Sequence, residues 1–427
     1  MNAAVFHVFA ADITEGDNMN DTIKICIDPG HGGENLGAEW NGYLEKDMTM
    51  IVARSMKEEL EKYQGIEVYM TRTEDVDMSL EERVDYAASV DADFFFCLHF
   101  NMSAEHDMYG AECWVSAFGN DYARGFDFSK IEMGLLTDLG LYDRGIKTRL
   151  NSEGTNYYGV LRMADLEDMP AVIIEHCHLD NYNDEPFYDE YDWLVEYGKL
   201  DATAVAMYYG LYSQELGKDY SDYTYEPTPV PSECVKPDLS PPDKPSVSYG
   251  EPYETESGVK VDAILTASDP DSRMLYYSYS DDGGITWSER FRWADDEGQL
   301  IGDSILTDTI HTTLDVRSDR DMYVIFKVYN LYNLDSDSAP YYIEAVAAKG
   351  TEADEISSEA ATGDPDTEYT TIDRTEKKDS DDKDDNPFDR SDYDNAYIFG
   401  FAALALGILL VISTLGYIIY SHRPRRR

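Results

Sequence analysis

Positive charge is scarce in this chain. Lys and Arg number 34 against 86 Asp and Glu, and the formal net charge is -52. Binding to nucleic acid through phosphate neutralisation needs clustered basic residues, so that class of function is excluded. Cysteine is also sparse: Cys26, Cys97, Cys113, Cys177 and Cys234 are odd in number and irregularly spaced. Such spacing gives neither a disulfide framework nor a CxxC-type structural zinc site, and buried free thiols are the expectation. Long charge-free apolar runs are missing until residues 396–420, AYIFGFAALALGILLVISTLGYIIY, just before a tail with four arginines.

That run is long enough to span a hydrocarbon core of about 30 Å. The basic tail at 421–427 places its own side in the cytoplasm and everything before the helix outside. The expected location is therefore a cell membrane, crossed once, with the bulk of the chain on the extracellular side. Export needs a signal, and residues 1–12 carry a short apolar stretch with small residues but no basic start. They read as the remnant of a signal peptide whose beginning lies upstream.

A chain of 427 residues calls for more than one folded unit. From 22 to 213, short apolar strands (IKICI, FFFCL, AVIIE) alternate with stretches of helical spacing, such as Met48, Ile51, Val52, Met56 and Leu60. Strands buried on both faces and separated by helices make an α/β sheet. Ser79 with Glu82 forms a capping box that opens one helix. Residues 214–245 are proline-rich (PTPVPS, PPDKP) and read as a stiff, extended linker. From 246 to 348, short Tyr- and Val-rich runs between turn residues predict a β-sandwich of immunoglobulin or fibronectin type. Its segment Ser280 to Trp287 matches an Asp-box hairpin, a structural turn because a propeller needs several copies. Residues 349–395 are acidic with few aliphatic side chains and predict a disordered spacer.

The strands of the first region hand chemically useful residues to the loops that follow them. The first leads into Asp28-Pro29-Gly30-His31-Gly32-Gly33, FFFCL ends in His99, AVII ends in Glu175, and Glu45 opens the first long helix. Ligand sites of open α/β sheets gather at the carboxyl ends of the strands. Two histidines and one carboxylate form the donor set of a catalytic zinc with an open fourth position. A further acidic residue free of metal serves as general base and then general acid. Either histidine alone would read as a structural residue; the four residues together change that reading.

In this order and context, His31, Glu45, His99 and Glu175 resemble the zinc-dependent N-acetylmuramoyl-L-alanine amidases of the amidase-3 family. The resemblance spans about Ile23 to Tyr212. It includes IDPGHGG, EKD, Thr71-Arg72 with Asp75, Ser79-Leu80 with Arg83, LHFN, Arg144-Gly145-Ile146-Lys147, Val160-Leu161-Arg162 and Met169-Pro170-Ala171 before IIE. It implies a mixed sheet flanked by helices, with His31, Glu45 and His99 as Zn2+ ligands and Glu175 as the catalytic acid/base. The implied substrate is peptidoglycan, cut between N-acetylmuramic acid and L-alanine during wall remodelling; an activator protein is not identified. The pattern departs after Glu175. On a continuing strand Cys177 would share the face of Glu175, while His176 and His178 would point away. Those histidines either bond substrate or pack the loop, packing being the expectation. The polar segment Leu150 to Tyr158 suits a loop at the edge of a substrate site. Three other readings stay open: a non-catalytic wall-binding or sensor protein, a zinc hydrolase of another wall amide, and an adhesin whose sandwich does the binding.

Overall fold

The computed structural model describes residues 22–294 and 308–346. The chain begins with β1 (Ile23–Pro29), a hairpin of β2 (Glu39–Trp40) and β3 (Tyr43–Leu44), and α1 (Glu45–Leu60). It continues through β4 (Ile66–Met70), α2 (Leu80–Ser89), β5 (Phe94–Asn101), β6 (Ala111–Val115), α3 (Gly119–Leu139) and β7 (Asp143–Lys147). Then come α4 (Gly159–Leu166), β8 (Ala171–His178) and α5 (Tyr191–Tyr209). The sheet order is β4-β1-β5-β8-β6-β7. The first four strands run parallel, and β6 lies antiparallel to β8 while pairing in parallel with β7. The expected mixed α/β sheet flanked by helices is thus present.

Alternation along the strands sends side chains to two separate cores. Phe94, Phe96, Leu98, Val172 and Ile174 pack with residues of α1, α3 and α5, whereas Cys26, Phe95, Cys97, Ala171 and Ile173 pack with α2 and α4. Both faces are covered, which explains why the strands are apolar throughout. Helix α2 starts at the capping box: the Ser79 hydroxyl accepts from the Glu82 amide, and the Glu82 carboxylate accepts from the Ser79 amide. All five cysteines are free thiols, four of them buried.

Two small strands follow, β9 (Tyr212–Ser213) and β10 (Lys218–Asp219), before the proline-rich segment. That segment is bonded along its length to the preceding helices and strands. Lys130 Nζ donates to the Glu226 carbonyl (3.0 Å), Val235 N to the Ala117 carbonyl (2.8 Å) and Thr148 Oγ1 to the Val235 carbonyl (2.9 Å). Proline makes the segment stiff, but its remaining amides and carbonyls still need partners, and the first region's surface supplies them.

Two antiparallel sheets close the described chain. One joins β11 (Ser246–Tyr249), β12 (Tyr253–Thr255), β13 (Gly258–Ala267) and β16 (Asp308–Asp315). The other joins β14 (Met274–Ser280), β15 (Phe291–Arg292), β17 (Met322–Asn330), β18 (Asp335–Asp337) and β19 (Tyr341–Ile343). Val261, Ala263 and Leu265 of the first sheet share a core with Tyr277, Val324, Phe326 and Val328 of the second. The Asp-box is a turn: Asp282 accepts from the amides of Ile285 and Thr286 (2.9 Å each) and from the Thr286 hydroxyl (2.7 Å). Among the described residues no helix is long and apolar enough to cross a membrane. The expected signal remnant at 1–12, acidic spacer at 349–395, transmembrane helix at 396–420 and basic tail all lie outside the described residues.

Candidate active site

Three of the four residues singled out in the sequence meet in a tight cluster. Glu45, at the start of α1 and only 3% exposed, places Oε1 2.9 Å from His99 Nδ1 and Oε2 3.0 Å from His31 Nε2. The same carboxylate accepts the backbone amides of Phe100 (3.0 Å) and Ala38 (2.6 Å). One donor atom from each of His31, Glu45 and His99 lies within 4.8 Å of the others, a geometry that can hold a metal ion.

Glycine makes this closeness possible. A Cβ on Gly30 would stand 2.4 Å from the His99 ring, and one on Gly37, where φ is +73°, would stand 2.5 Å from Glu45 Oε2. His31 itself adopts φ 61°, an uncommon left-handed conformation held by two buried arginines. Arg83 donates to the His31 carbonyl (2.6 Å), the Pro29 carbonyl (2.9 Å) and the Asp28 carboxylate (2.7 Å). Arg72 donates to the carbonyls of Pro29 (3.0 Å), Gly30 (2.9 Å) and Lys46 (2.9 Å). Lys46 pairs with Asp75 at 2.7 Å, and Asp75 also accepts the Gly33 amide at 2.6 Å. The Thr71-Arg72, Asp75 and Arg83 motifs therefore clamp the loop that presents His31.

The donor set fits zinc: two imidazole nitrogens and one carboxylate oxygen, with His31 Nδ1 steadied by Asn35 Oδ1 at 2.9 Å. Burial opposes ionisation of Glu45, yet hydrogen bonds from His31 and His99 hold its carboxyl well below the usual range. Burial also opposes charge on His31, but its bond to Glu45 and that group's negative charge lift the imidazole above its ordinary value. Each imidazole thus turns one nitrogen to a shared anion, the arrangement a dication would exploit.

Glu175 stands beside this cluster. On the parallel pair β5–β8 it lies in register with His99, and on the antiparallel pair β8–β6 it lies opposite Glu112. Side chains directly across adjacent strands share a face, so His99, Glu175 and Glu112 form one row on the α2–α4 side of the sheet. Burial, then the charges of Glu45 and Glu112, push the Glu175 carboxyl well above the ordinary range, with Arg144 pulling the other way. Its Oε2 is enclosed and has no hydrogen-bond partner.

Sequence reading missed Glu112 as a site residue. The signal was a lone carboxylate in the buried strand AECWV, which must find partners. It finds them in Lys147 (2.6 Å) and Arg144 (3.0 Å) on Oε2, and in Asn101 (2.9 Å) and Trp114 (3.1 Å) on Oε1. Burial alone would raise its pKa, but Lys147 and then Arg144 depress it well below the usual range. Beyond Glu175 the strand is irregular, with a register shift opposite His99 to Asn101. Cys177 consequently leaves the Glu175 face and joins the core beside Tyr197. His176 and His178 are both fully buried. His176 places Nδ1 3.0 Å from the His99 carbonyl and Nε2 3.2 Å from Asp201, while His178 Nδ1 lies 3.1 Å from the Gly110 carbonyl.

Residues 25–207 match the sequence profile of the Amidase_3 family, N-acetylmuramoyl-L-alanine amidase. The N-acetylmuramoyl-L-alanine amidase CwlM of Bacillus licheniformis is 34% identical over 164 residues, covering 38% of this chain and 59% of that protein. The N-acetylmuramoyl-L-alanine amidase LytC of Bacillus subtilis strain 168 is 31% identical over 160 residues, 38% of this chain and 30% of its own length. The uncharacterized protein YqiI of the same strain is 32% identical over 161 residues, which are 38% of this chain and 72% of YqiI. The chain thus spans less than two thirds of the length of the first two relatives. The matched segment contains the His31, Glu45 and His99 cluster and the neighbouring Glu175, and through it the chain belongs to the N-acetylmuramoyl-L-alanine amidase family.

Proposed function

We propose that this protein hydrolyses peptidoglycan at the amide between N-acetylmuramic acid and the L-alanine of the stem peptide. The observation that carries the reading is the pairing of a metal-capable His31–Glu45–His99 cluster with an unpaired carboxyl, Glu175, in register with one of its members. His31, Glu45 and His99 would hold zinc, which when bound supplies an acidified water and an electrophile for the amide carbonyl. Glu175 acts on protons: it takes one from the attacking water and delivers one to the departing alanine nitrogen. A raised pKa suits that double role, since the carboxyl must accept a proton and release it near neutral pH. Asn35 keeps His31 aimed at the metal position, and the two backbone amides on Glu45 fix that carboxylate against rotation.

The placement proposed for this activity is the outer side of a cell membrane, anchored by residues 396–420. The support is their uninterrupted apolar composition and the four arginines that follow. A wall amide other than the muramoyl–alanine bond is the second reading, because the same zinc chemistry cuts amides generically and the loops choose the bond. Zinc dependence is tested by calorimetric titration of the metal-free chain alongside digestion of peptidoglycan. One zinc bound per chain, with turnover appearing at the same stoichiometry, supports the reading; turnover that survives metal removal overturns it.

A further inference from the structure

The carboxylate that faces Glu175 is held by a guanidinium, and the far side of that guanidinium belongs to the sandwich. Arg144 is 1% exposed. Its Nε donates to Glu112 Oε2 at 3.0 Å and its Nη1 donates to the Tyr276 hydroxyl at 3.0 Å. Tyr276, on β14 of the second antiparallel sheet, is fully buried, and its hydroxyl donates a hydrogen bond to the Tyr109 carbonyl. Its ring sits in a closed cluster with Tyr109, Tyr142, Leu275 and Tyr329, drawn from both regions of the chain. Polar contacts fix the same seam. Arg290 Nε meets Asp107 at 2.7 Å, Arg273 Nη2 donates to the Asp143 carbonyl at 2.9 Å, and the Tyr142 hydroxyl donates to the Leu275 carbonyl.

We propose that Tyr276 is a positioning residue of the amidase reaction, holding Arg144 on Glu112 beside Glu175, so that the sandwich is a working part of the active site. This rests on the hydrolytic reading given above. The geometry makes the hydroxyl hard to replace. A fully buried guanidinium needs acceptors for its N–H groups, and Tyr276 is the acceptor at Nη1; among the described residues Nη2 meets Met108 Sδ at 3.7 Å. Without the hydroxyl, Nη1 points at a ring edge, and the guanidinium relieves the loss by turning about its Nε bond. Glu112 would keep Lys147 at 2.6 Å but meet a displaced cation on its other side. Every proton delivered at Glu175 changes the charge directly opposite Glu112. Glu112 and the cations bound to it lie directly across the strands from Glu175, so the position of Arg144 sets part of the charge that faces that carboxyl.

The test compares full-length, zinc-loaded wild type, Tyr276→Phe and Tyr142→Phe on peptidoglycan fragments. Tyr142→Phe removes a hydroxyl from the same seam, on the Leu275 carbonyl, without touching Arg144. The expected result for Tyr276→Phe is unchanged zinc content and KM, with kcat lower by about tenfold to a hundredfold, the scale of a small misplacement near the reacting atoms. Tyr142→Phe is expected to lower the unfolding midpoint while kcat stays at the wild-type value. If Tyr276→Phe does not fold, Arg144→Lys, which keeps the charge and cannot span to Tyr276, makes the same comparison with the same split expected. Equal kcat in wild type and Tyr276→Phe, or a fall matched by Tyr142→Phe, overturns the proposal and leaves the hydrolytic reading intact. A wild type that cuts no wall amide overturns both.

Discussion

Glu112 and Glu175 stand directly opposite each other on antiparallel strands, yet the protein treats their charges in opposite ways. Glu112 is saturated: two cations, an amide and an indole N–H converge on it, and its carboxyl is held well below the usual range. Glu175 has an enclosed oxygen with no partner, and burial with its anionic neighbours pushes its carboxyl up. Two like carboxyls side by side thus become a fixed anion and a carboxyl free to carry protons.

Glu175→Gln keeps the shape of that site and removes its proton traffic. We expect zinc affinity within about twofold of wild type and turnover lower by roughly 10²–10⁴, the range that general acid–base catalysis supplies. Metal content by atomic absorption, measured on the same sample as the digestion rate, separates the two effects.

Glu112→Gln strands Arg144 and Lys147 in the interior without their anion. Breaking a buried pair in this way costs about 3–5 kcal/mol, seen as a lower urea midpoint at unchanged slope. Its pH dependence has a definite sign. The folded carboxyl of Glu112 is depressed, so its contribution is fully present above the unfolded carboxyl pKa and is lost as pH falls through the folded value. The wild-type advantage over Glu112→Gln should therefore shrink as the solution is made acidic.

His31→Ala removes one donor from the cluster. We expect loss of both zinc binding and turnover. We also expect loss of the stabilisation that excess zinc gives the wild type, about 2.7 kcal/mol at a hundredfold excess over Kd. Thermal unfolding with and without zinc, run on both proteins, reads this directly.

Asp165 offers the opposite pH sign. Burial comes first among the causes, and with the neighbouring Asp121 it pushes the carboxyl up to about 7, despite donors at Ser116 and Asn156. A carboxyl raised in the folded state keeps its proton while the unfolded chain loses it, so stability falls as pH rises from about 4 to 7. Asp165→Asn should lose less stability over that interval than wild type in urea titrations run at stepped pH.

Much of this was legible in the sequence, and the limits have physical reasons. The buried parallel strands announce themselves as apolar runs, and strand-end residues converge because topology places the carboxyl ends of β1, β5 and β8 together. His31, His99 and Glu175 stand out on that ground, whereas the assignment of His31, Glu45 and His99 as a ligand set came from the resemblance to the amidase-3 family. Glu112, Arg144 and Lys147 could not be assigned a role, since strand register, which no periodicity encodes, sets Glu112 against Glu175. Cys177 was put on the Glu175 face by simple alternation, and a one-residue irregularity in β8 moved it to the core. The seam between Tyr276 and Arg144 was invisible for a similar reason: a tyrosine in a sandwich strand reads as core, and nothing local says which core. The proline-rich segment 214–245 reads as a stiff linker, and its composition does not tell that it bonds to Ala117, Thr148 and Lys130.

The central claim is that zinc at His31, Glu45 and His99, with Glu175 moving the protons, cuts the muramoyl–alanine amide. Mass spectrometry of intact peptidoglycan digested by the full zinc-loaded chain, with Glu175→Gln in parallel, tests it most directly. Wild type should release free stem peptides beginning with L-alanine, and the variant should release none. New ends at a peptide cross-link or within the glycan, or equal release by Glu175→Gln, would contradict it.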